Sequence, residues 1–557
     1  MLLVPALLAA LAAGAHEPTW TRYSRQLNRR EVRLLARGVP LHALAAQPGA
    51  DTETCRLRLR LVDAETREAL SGLVRIAGPE GKALPLPGLV NRGIQLREGH
   101  PARDWHALLE AGTVDVPRAR LVLDAVAGPG SERTTLPLEL DGRAAASVEI
   151  AVRRFAHPER QGWRSGNTHL HLSGLTRPQA DEYLRTLPRA DGLELLFVSY
   201  LERAVADRDY ISNRYTAADL RALTGPGLLF GNGEEHRHNF TGYPEGYGHV
   251  MLLNLRRLVQ PVSIGADIMK KGSDWPPLSR GIRQARRQGA TIVWCHNDYG
   301  MEDTPHWLAG RIHAHNIFDG GHHGSYADTF YRYLNLGLKV PFSTGTDWFL
   351  YDISRAYVRV EGELTVQRWL AALTQGRSYI TNGPLLELRA GGHAIGETLR
   401  LTGPRTVPIQ GAARGRHDFR ALELVHNGEV IARAPSRAVG RHFESDLRFD
   451  LPVNGPGWVA LKIAGNGPGP ANRPSDAPRN DFGEALFGHT SPIYLEMHGR
   501  RLVQPEVARA FIRDLETSLR AIRTHGKFDT EAQREEVLSL YRRAMDTLRR
   551  KIEGSHR

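Results

Sequence analysis

Cysteine is almost missing: the chain has two, Cys55 and Cys295, among 557 residues. That excludes a disulfide scaffold and a Cys-rich zinc module. The pair lies far apart in sequence and reads as two separate thiols. Beyond the N-terminus no apolar run is long enough to cross a bilayer, which excludes a polytopic membrane protein. Internal repeats and low-complexity tracts are lacking too. No G-x-G-x-x-G follows a strand pattern, and there is no G-x-x-x-x-G-K-[ST], so nucleotide-phosphate cradles of those kinds are excluded. A G-x-S-x-G nucleophile elbow is also missing.

What is present is a long, ordinary globular composition. A hydrophobic share of 41% and a charged share of 24% exclude a disordered chain. The length requires three or four folding units. The formal net charge is +12. It comes mostly from scattered Arg, so no nucleic-acid partner is expected. An anionic small-molecule substrate is compatible with that charge.

Residues 1–15 read as an export signal: Leu2 to Ala15 is almost wholly apolar and closes with Ala13-Gly14-Ala15 before His16. Export to the periplasm or the medium follows, with no membrane span in the mature form. Residues 16–50 form a helical segment, because Thr19 to Leu44 is Arg- and Leu-rich at helical spacing. Residues 51–158 read as a small antiparallel β-sandwich. Its clearest strand is Arg56-Leu57-Arg58-Leu59-Arg60-Leu61, alternating with period two. From 159 to 384 strands alternate with helices, which argues a parallel sheet or a barrel. Residues 385–500 return to short strands and make a second sandwich. Residues 501–557 form a helical tail broken near Gly526. The expected class is therefore α/β: a distorted (β/α) barrel flanked by two small β-sandwich modules and a C-terminal helical tail.

The chemistry concentrates in the barrel. Gly166-Asn167-Thr168-His169-Leu170-His171 puts His169 and His171 on one face of a strand, since residues i and i+2 share a face. Alone, such a pair is a weak sign and more often marks two partly buried histidines than metal ligands. Further clusters sit beside other candidate strands: Gly233-Glu234-Glu235-His236, Gly248-His249, Cys295-His296-Asn297-Asp298 and Thr344-Gly345-Thr346-Asp347. Functional side chains gather at strand C-termini in α/β barrels. Histidines and carboxylates collected there suit Zn, Mn or Fe.

These motifs resemble the polymerase and histidinol phosphatase (PHP) superfamily, and more closely its CehA/McbA-type metallohydrolases. The resemblance covers about Gly162 to Pro384 and includes Gly376-Arg377-Ser378-Tyr379-Ile380-Thr381-Asn382-Gly383-Pro384. It implies one or two divalent ions. His169, His171 and Asp347 would hold the first. Glu235 would bridge to the second, completed by His249 and His296. The family places its Glu third in a Gly-x-Glu step, which selects Glu235 over Glu234; alternation turns Glu234 the other way. Glu235, His296 and Asp347 are the implied catalytic residues.

Two family positions differ. Phe197-Val198-Ser199-Tyr200-Leu201-Glu202 lacks the usual Asp-His pair, and Asp347-Trp348-Phe349 lacks the usual closing His. A third ion is therefore not expected. An active site rebuilt from His236, His238, His313, His315, His322 or His323 is the alternative source of a general acid. Asp298 and Tyr299 read as turn residues, and Cys295 as a buried small hydrophobe facing away from His296. Arg164, Arg237, Lys270 and Lys271 are the cations available to a phosphoryl substrate.

The activity implied is hydrolysis of an ester, carbamate or phosphoester by metal-activated water. The competing expectation is a non-catalytic exported binding protein built on a degenerate barrel.

Overall fold

Alternation is borne out from Cys55 to Leu61 and ends there, since Val62 and Asp63 are both buried as well. Cys55, Leu57, Leu59 and Leu61 are buried while Arg56, Arg58 and Arg60 face solvent. The computed structural model describes residues 28–45, 53–203, 205–240, 243–265, 272–296, 301–319, 325–464 and 477–555. The export signal and residues 16–27 and 46–50 of the next segment lie outside them. The rest of that segment contains the helix Arg29–Ala36, with Asn28 accepting hydrogen bonds from the N–H groups of Arg30 and Glu31.

The first module has two layers. Thr54–Asp63 lies between Ala111–Pro117 and Ala145–Val152, facing a five-stranded sheet that contains Ser71–Ala77 and Arg120–Val126. Leu57, Leu59, Val74, Ile76, Leu123 and Ile150 fill the space between the layers. One expectation fails here: Thr54–Asp63 pairs parallel with Ala145–Val152, so the module is not purely antiparallel. The long chain path between the two strands makes a parallel pairing available.

The central sheet is mixed rather than parallel, and it curls. Trp163–His171, Leu195–Tyr200 and Leu229–Phe240 pair parallel in that order. Leu229–Phe240 then pairs antiparallel with Tyr243–Leu253, and that strand antiparallel with Thr291–Trp294. So few residues separate Leu229–Phe240 from Tyr243–Leu253 that only an antiparallel return is possible. Ala314–Asn316 and Phe342–Ser343 continue the sheet in parallel. On its other edge Trp163–His171 pairs with Asp347–Trp348 and with Arg355–Arg359.

Helices cover the outside. In Arg177–Ala190 the buried Ala180, Tyr183, Leu184 and Leu187 recur at i, i+3, i+4 and i+7. The start of that helix is set by Gln179, whose side chain accepts from the Thr176 N–H at 2.8 Å. Leu278–Arg287 buries Leu278, Gly281, Ile282 and Ala285 in the same way.

The second β-module is continuous with the central sheet. Gly488–Thr490 pairs with Ser378–Thr381 on one side and with Gly457–Ile463 on the other. Facing it is a sheet built on Leu385–Ala390, Arg405–Gly415 and His442–Val453. The tail is the expected helix pair, Pro505–His525 and Glu531–Ser555. Phe511, Leu515, Leu519 and Ile522 pack into the same core as Trp307 and Tyr333 of the central unit. Among the described residues no helix is long and apolar enough to cross a membrane.

Candidate metal centre

His169 and His171 project from the end of Trp163–His171, both fully buried. Asp347 reaches them because Asp347–Trp348 lies beside that strand, with Asp347 opposite Leu170. Glu235 comes from Leu229–Phe240, two strands away. His169, His171, Glu235 and Asp347 bring one donor atom each within 4.8 Å of one another. A second group joins Glu235 to His249 and His296 on the same criterion. The six side chains named from the sequence therefore meet in one buried cluster, with Glu235 common to both halves.

The spacings suit a coordinated ion. His169 Nε2 lies 3.0 Å from His171 Nε2, and His171 Nε2 lies 3.0 Å from Glu235 Oε2. His169 Nε2 is 3.6 Å from that same Glu235 oxygen and 3.4 Å from Asp347 Oδ1; His171 Nε2 is 3.7 Å from Asp347 Oδ1. Ligands about 2.0–2.1 Å from a tetrahedral centre stand roughly 3.3 Å apart. The measured separations bracket that value. In the other half Glu235 Oε1 is 3.4 Å from His249 Nδ1 and 3.9 Å from His296 Nε2.

Hydrogen bonding on the far side of each ring sets the chemistry of the near side. His169 Nδ1 faces Asp319 Oδ2 at 2.8 Å, and His171 Nδ1 faces the Ser199 carbonyl at 3.0 Å. Both partners only accept, so each Nδ1 carries the hydrogen and each neutral ring turns a lone pair inward at Nε2. Two lone pairs 3.0 Å apart repel unless a cation or a proton lies between them. Buried histidines backed by an acceptor in this way are the usual form of a metal-ligating imidazole. The donor set therefore fits a divalent ion.

Without an ion, protons do the neutralising. Burial disfavours a charged His169, but Asp347, Asp319 and Glu235 outweigh it and raise its pKa to about 9. His296 is likewise raised well above the ordinary histidine range, with Asp319 the strongest opponent of its burial. Burial also disfavours an ionised Glu235. Arg237, His169, His171 and His296 reverse that and hold its carboxyl well below the usual range.

Two residues of the cluster sit on left-handed backbone, His296 at φ 64° and Asp347 at φ 57°. Non-glycine residues in this region cost on the order of 1 kcal/mol each and cluster at functional sites. The turn at His296 also corrects the reading of Cys295. Alternation fails there, and the Cys295 thiol is not directed away from the cluster. Its sulfur lies within 4.8 Å of donor atoms of His169 and Asp319, and it is fully buried. Burial, then Glu235 and Asp319, raises its pKa well above the ordinary thiol value. Both cysteines are free.

Other candidates separate cleanly. His236 and His238 point to the opposite face of their strand: His236 Nδ1 faces the Val262 carbonyl at 3.0 Å, and His238 Nε2 faces Asp274 at 3.1 Å. His313 Nδ1 accepts from the Ile292 N–H, and His315 Nε2 faces the His296 carbonyl at 3.0 Å. None of these four is a ligand in the cluster. Arg164 pairs with Glu194 at 2.8 Å, at the opposite end of its strand. Arg237 Nη1 lies 3.1 Å from Glu235 Oε1 and is the one cation of the four proposed that reaches the centre among the described residues. Lys270, Lys271, Asn297, Asp298, Tyr299, His322 and His323 lie outside the described residues.

Asp319 was not singled out by sequence. It follows the three-residue strand Ala314–Asn316 and is fully buried. Its other oxygen, Oδ1, faces His296 Nδ1 at 3.1 Å and accepts from the His296 N–H at 3.2 Å. An aspartate three residues beyond a buried polar strand was the available signal, and nothing in its spacing separates it from a turn residue. No family model matches the chain, and no similar protein is found among curated proteins or solved structures.

Proposed function

We propose that this chain is an exported metal-dependent hydrolase of the PHP type, acting on an ester, carbamate or phosphoester bond. The observation that carries the reading is the convergence of His169 Nε2, His171 Nε2, Glu235 Oε2 and Asp347 Oδ1 at 3.0–3.7 Å. A divalent ion bound there would supply Lewis acidity and an acidified water.

The chain's own residues do the rest. Asp319 and the Ser199 carbonyl keep His169 and His171 in the one tautomer that ligates. Glu235 gives one oxygen to each half of the cluster and so holds the two halves together. Arg237 lies against the Glu235 oxygen shared with His249 and offers positive charge to an anionic leaving group. His249 and His296 complete the second half. Asp347 closes the first half from the far edge of the sheet.

The test is elemental analysis of the purified chain joined to a panel of carboxylic ester, carbamate and phosphoester substrates. The reading requires stoichiometric metal and turnover on at least one class; His169→Ala should lower the metal content and abolish the turnover. Undiminished turnover after chelation would sink it. Protein recovered from the exported fraction should begin at His16; an intact Met1 there would refute cleavage at that site.

A second reading is favoured by burial. All six ligands are at most 6% exposed, which leaves little room for a large substrate beside them. A binding protein that uses the ion to hold its fold is the result if metal is stoichiometric and every substrate class is untouched.

A further inference from the structure

The two halves of the cluster are joined a second time, behind the ligands. Asp319 places Oδ2 2.8 Å from His169 Nδ1 and Oδ1 3.1 Å from His296 Nδ1. One carboxylate thus backs one histidine of each half. We propose that Asp319 is a positioning residue that fixes the tautomer of both histidines at once, and that through it the chain holds two ions rather than one. The inference rests on the metal reading given above.

An ionised carboxylate only accepts, so it can receive an N–H from both rings together. Each ring then presents its Nε2 lone pair to its own half of the cluster. A carboxamide of the same shape has one accepting end and one donating end. It can back one histidine in the ligating tautomer; the other must accept at Nδ1 and carry its hydrogen at Nε2, where it blocks an ion.

The surroundings decide which ring loses. The His296 backbone N–H donates to Asp319 Oδ1 at 3.2 Å and cannot be turned away. In D319N the amide oxygen therefore takes the Oδ1 position and keeps His296 in its ligating form. The NH2 group takes the Oδ2 position and faces His169. Asn316 donates to Oδ2 at 3.1 Å, but its side-chain amide can reverse, because its other contact is the Thr168 hydroxyl, which both donates and accepts. His169 then directs an N–H toward His171 Nε2 and is lost as a ligand. Asp319→Ala differs in kind: neither ring is forced into the wrong tautomer, so both ion positions survive with weaker hold.

The experiment compares wild type, D319N and D319A as full chains. Each is stripped with chelator, titrated with Mn(II) and with Zn(II) by calorimetry, and assayed for bound metal after desalting; thermal melts check folding. The expected stoichiometry is two ions for wild type, one for D319N and two for D319A. Removing such a backing group weakens metal affinity by about 10–100-fold, which is the loss expected of D319A. A purely structural role would weaken both variants alike and leave their stoichiometries equal. D319N that binds two ions as tightly as wild type, or none while still folded, overturns the inference. So does D319A with wild-type affinity, which keeps the idea testable if D319N does not fold. A wild-type chain that binds one ion overturns the coupling alone; one that binds none overturns the metal reading with it.

Discussion

Glu234 and Glu235 are neighbours on one strand and have opposite fates. Glu235 faces His169, His171, His249, His296 and Arg237, and its carboxyl is held well below the ordinary range. Glu234 faces the helix side, and burial raises its carboxyl to about 8, against the pull of one Val259 N–H. The same alternation divides the rest of Leu229–Phe240. Arg237 stands with Glu235; His236 and His238 stand with Glu234. Residue type does not mark the centre, since both faces carry Glu and basic groups. What marks it is whether the partners come from one neighbouring element or from several distant strands. Glu235 meets side chains from Trp163–His171, from Tyr243–Leu253 and from the turn after Thr291–Trp294. Only such convergence leaves several lone pairs aimed at one point.

The sharpest way to break this contrast is to remove a side chain from each face of the strand. His169→Ala and Glu235→Gln should both lose metal, and turnover on any substrate should fall by at least ~10²–10³-fold, the scale of losing one preorganised charge-stabilising group. His236→Ala should keep full metal content. Its expected effect is on stability, a loss of about 2 kcal/mol from the vacated volume and the broken bond to Val262. The ring is tightly enclosed: a Cβ placed on Gly281 would fall 2.2 Å from His236 Nε2. Urea titration with parallel metal analysis separates the two kinds of loss. Metal loss in His236→Ala would move that residue into the centre and erase the division between faces.

A smaller effect is carried by protons. In the metal-free chain His169 titrates near 9 against an ordinary 6.5. It therefore stabilises the metal-free fold fully below about pH 6.5, and this contribution is lost as pH rises through about 9. An ion must displace that proton, so adding metal to weakly buffered protein at pH 7.5 should release roughly one proton or more per chain. Affinity should rise with pH, about tenfold per unit for one displaced proton, and level off near 9. His236, lowered to about 4 by burial, contributes nothing to this release. Indicator-dye titration gives the count. No proton release at pH 7.5 would contradict a protonated resting cluster.

How much of this was legible follows from period and distance. Strand alternation is strictly local, so the shared face of His169 and His171 and the opposed faces of Glu234 and Glu235 could be read directly. Helical spacing likewise marked Pro505–His525 and Glu531–Ser555 to within a few residues. Pairing direction could not be read. Whether Thr54–Asp63 meets Ala145–Val152 parallel or antiparallel depends on packing across a whole module. Cys295 was misplaced because the left-handed turn at His296 ends the alternation one residue early. Asp319 escaped because its role lies in two contacts to residues 23 and 150 positions away.

The mildest test of the two-faced strand is Glu234→Gln. Glu234 is buried and accepts a hydrogen bond from Val259 N–H at 2.6 Å, and its raised carboxyl is protonated at neutral pH. A glutamine has nearly the shape of that neutral form and can accept the same bond. At pH 5 the two proteins should unfold at the same denaturant concentration. Between the ordinary value of 4.5 and about 8 the folded state of the wild type binds more protons than the unfolded state, so its stability falls as pH rises. Glu234→Gln has no such group and should lose less over that range, ending as the more stable protein at pH 8–9 with unchanged metal content. Equal pH slopes would mean that Glu234 ionises freely in the fold. A Glu234→Gln chain depleted of metal would mean that this carboxylate, and not only its neighbour, serves the ions.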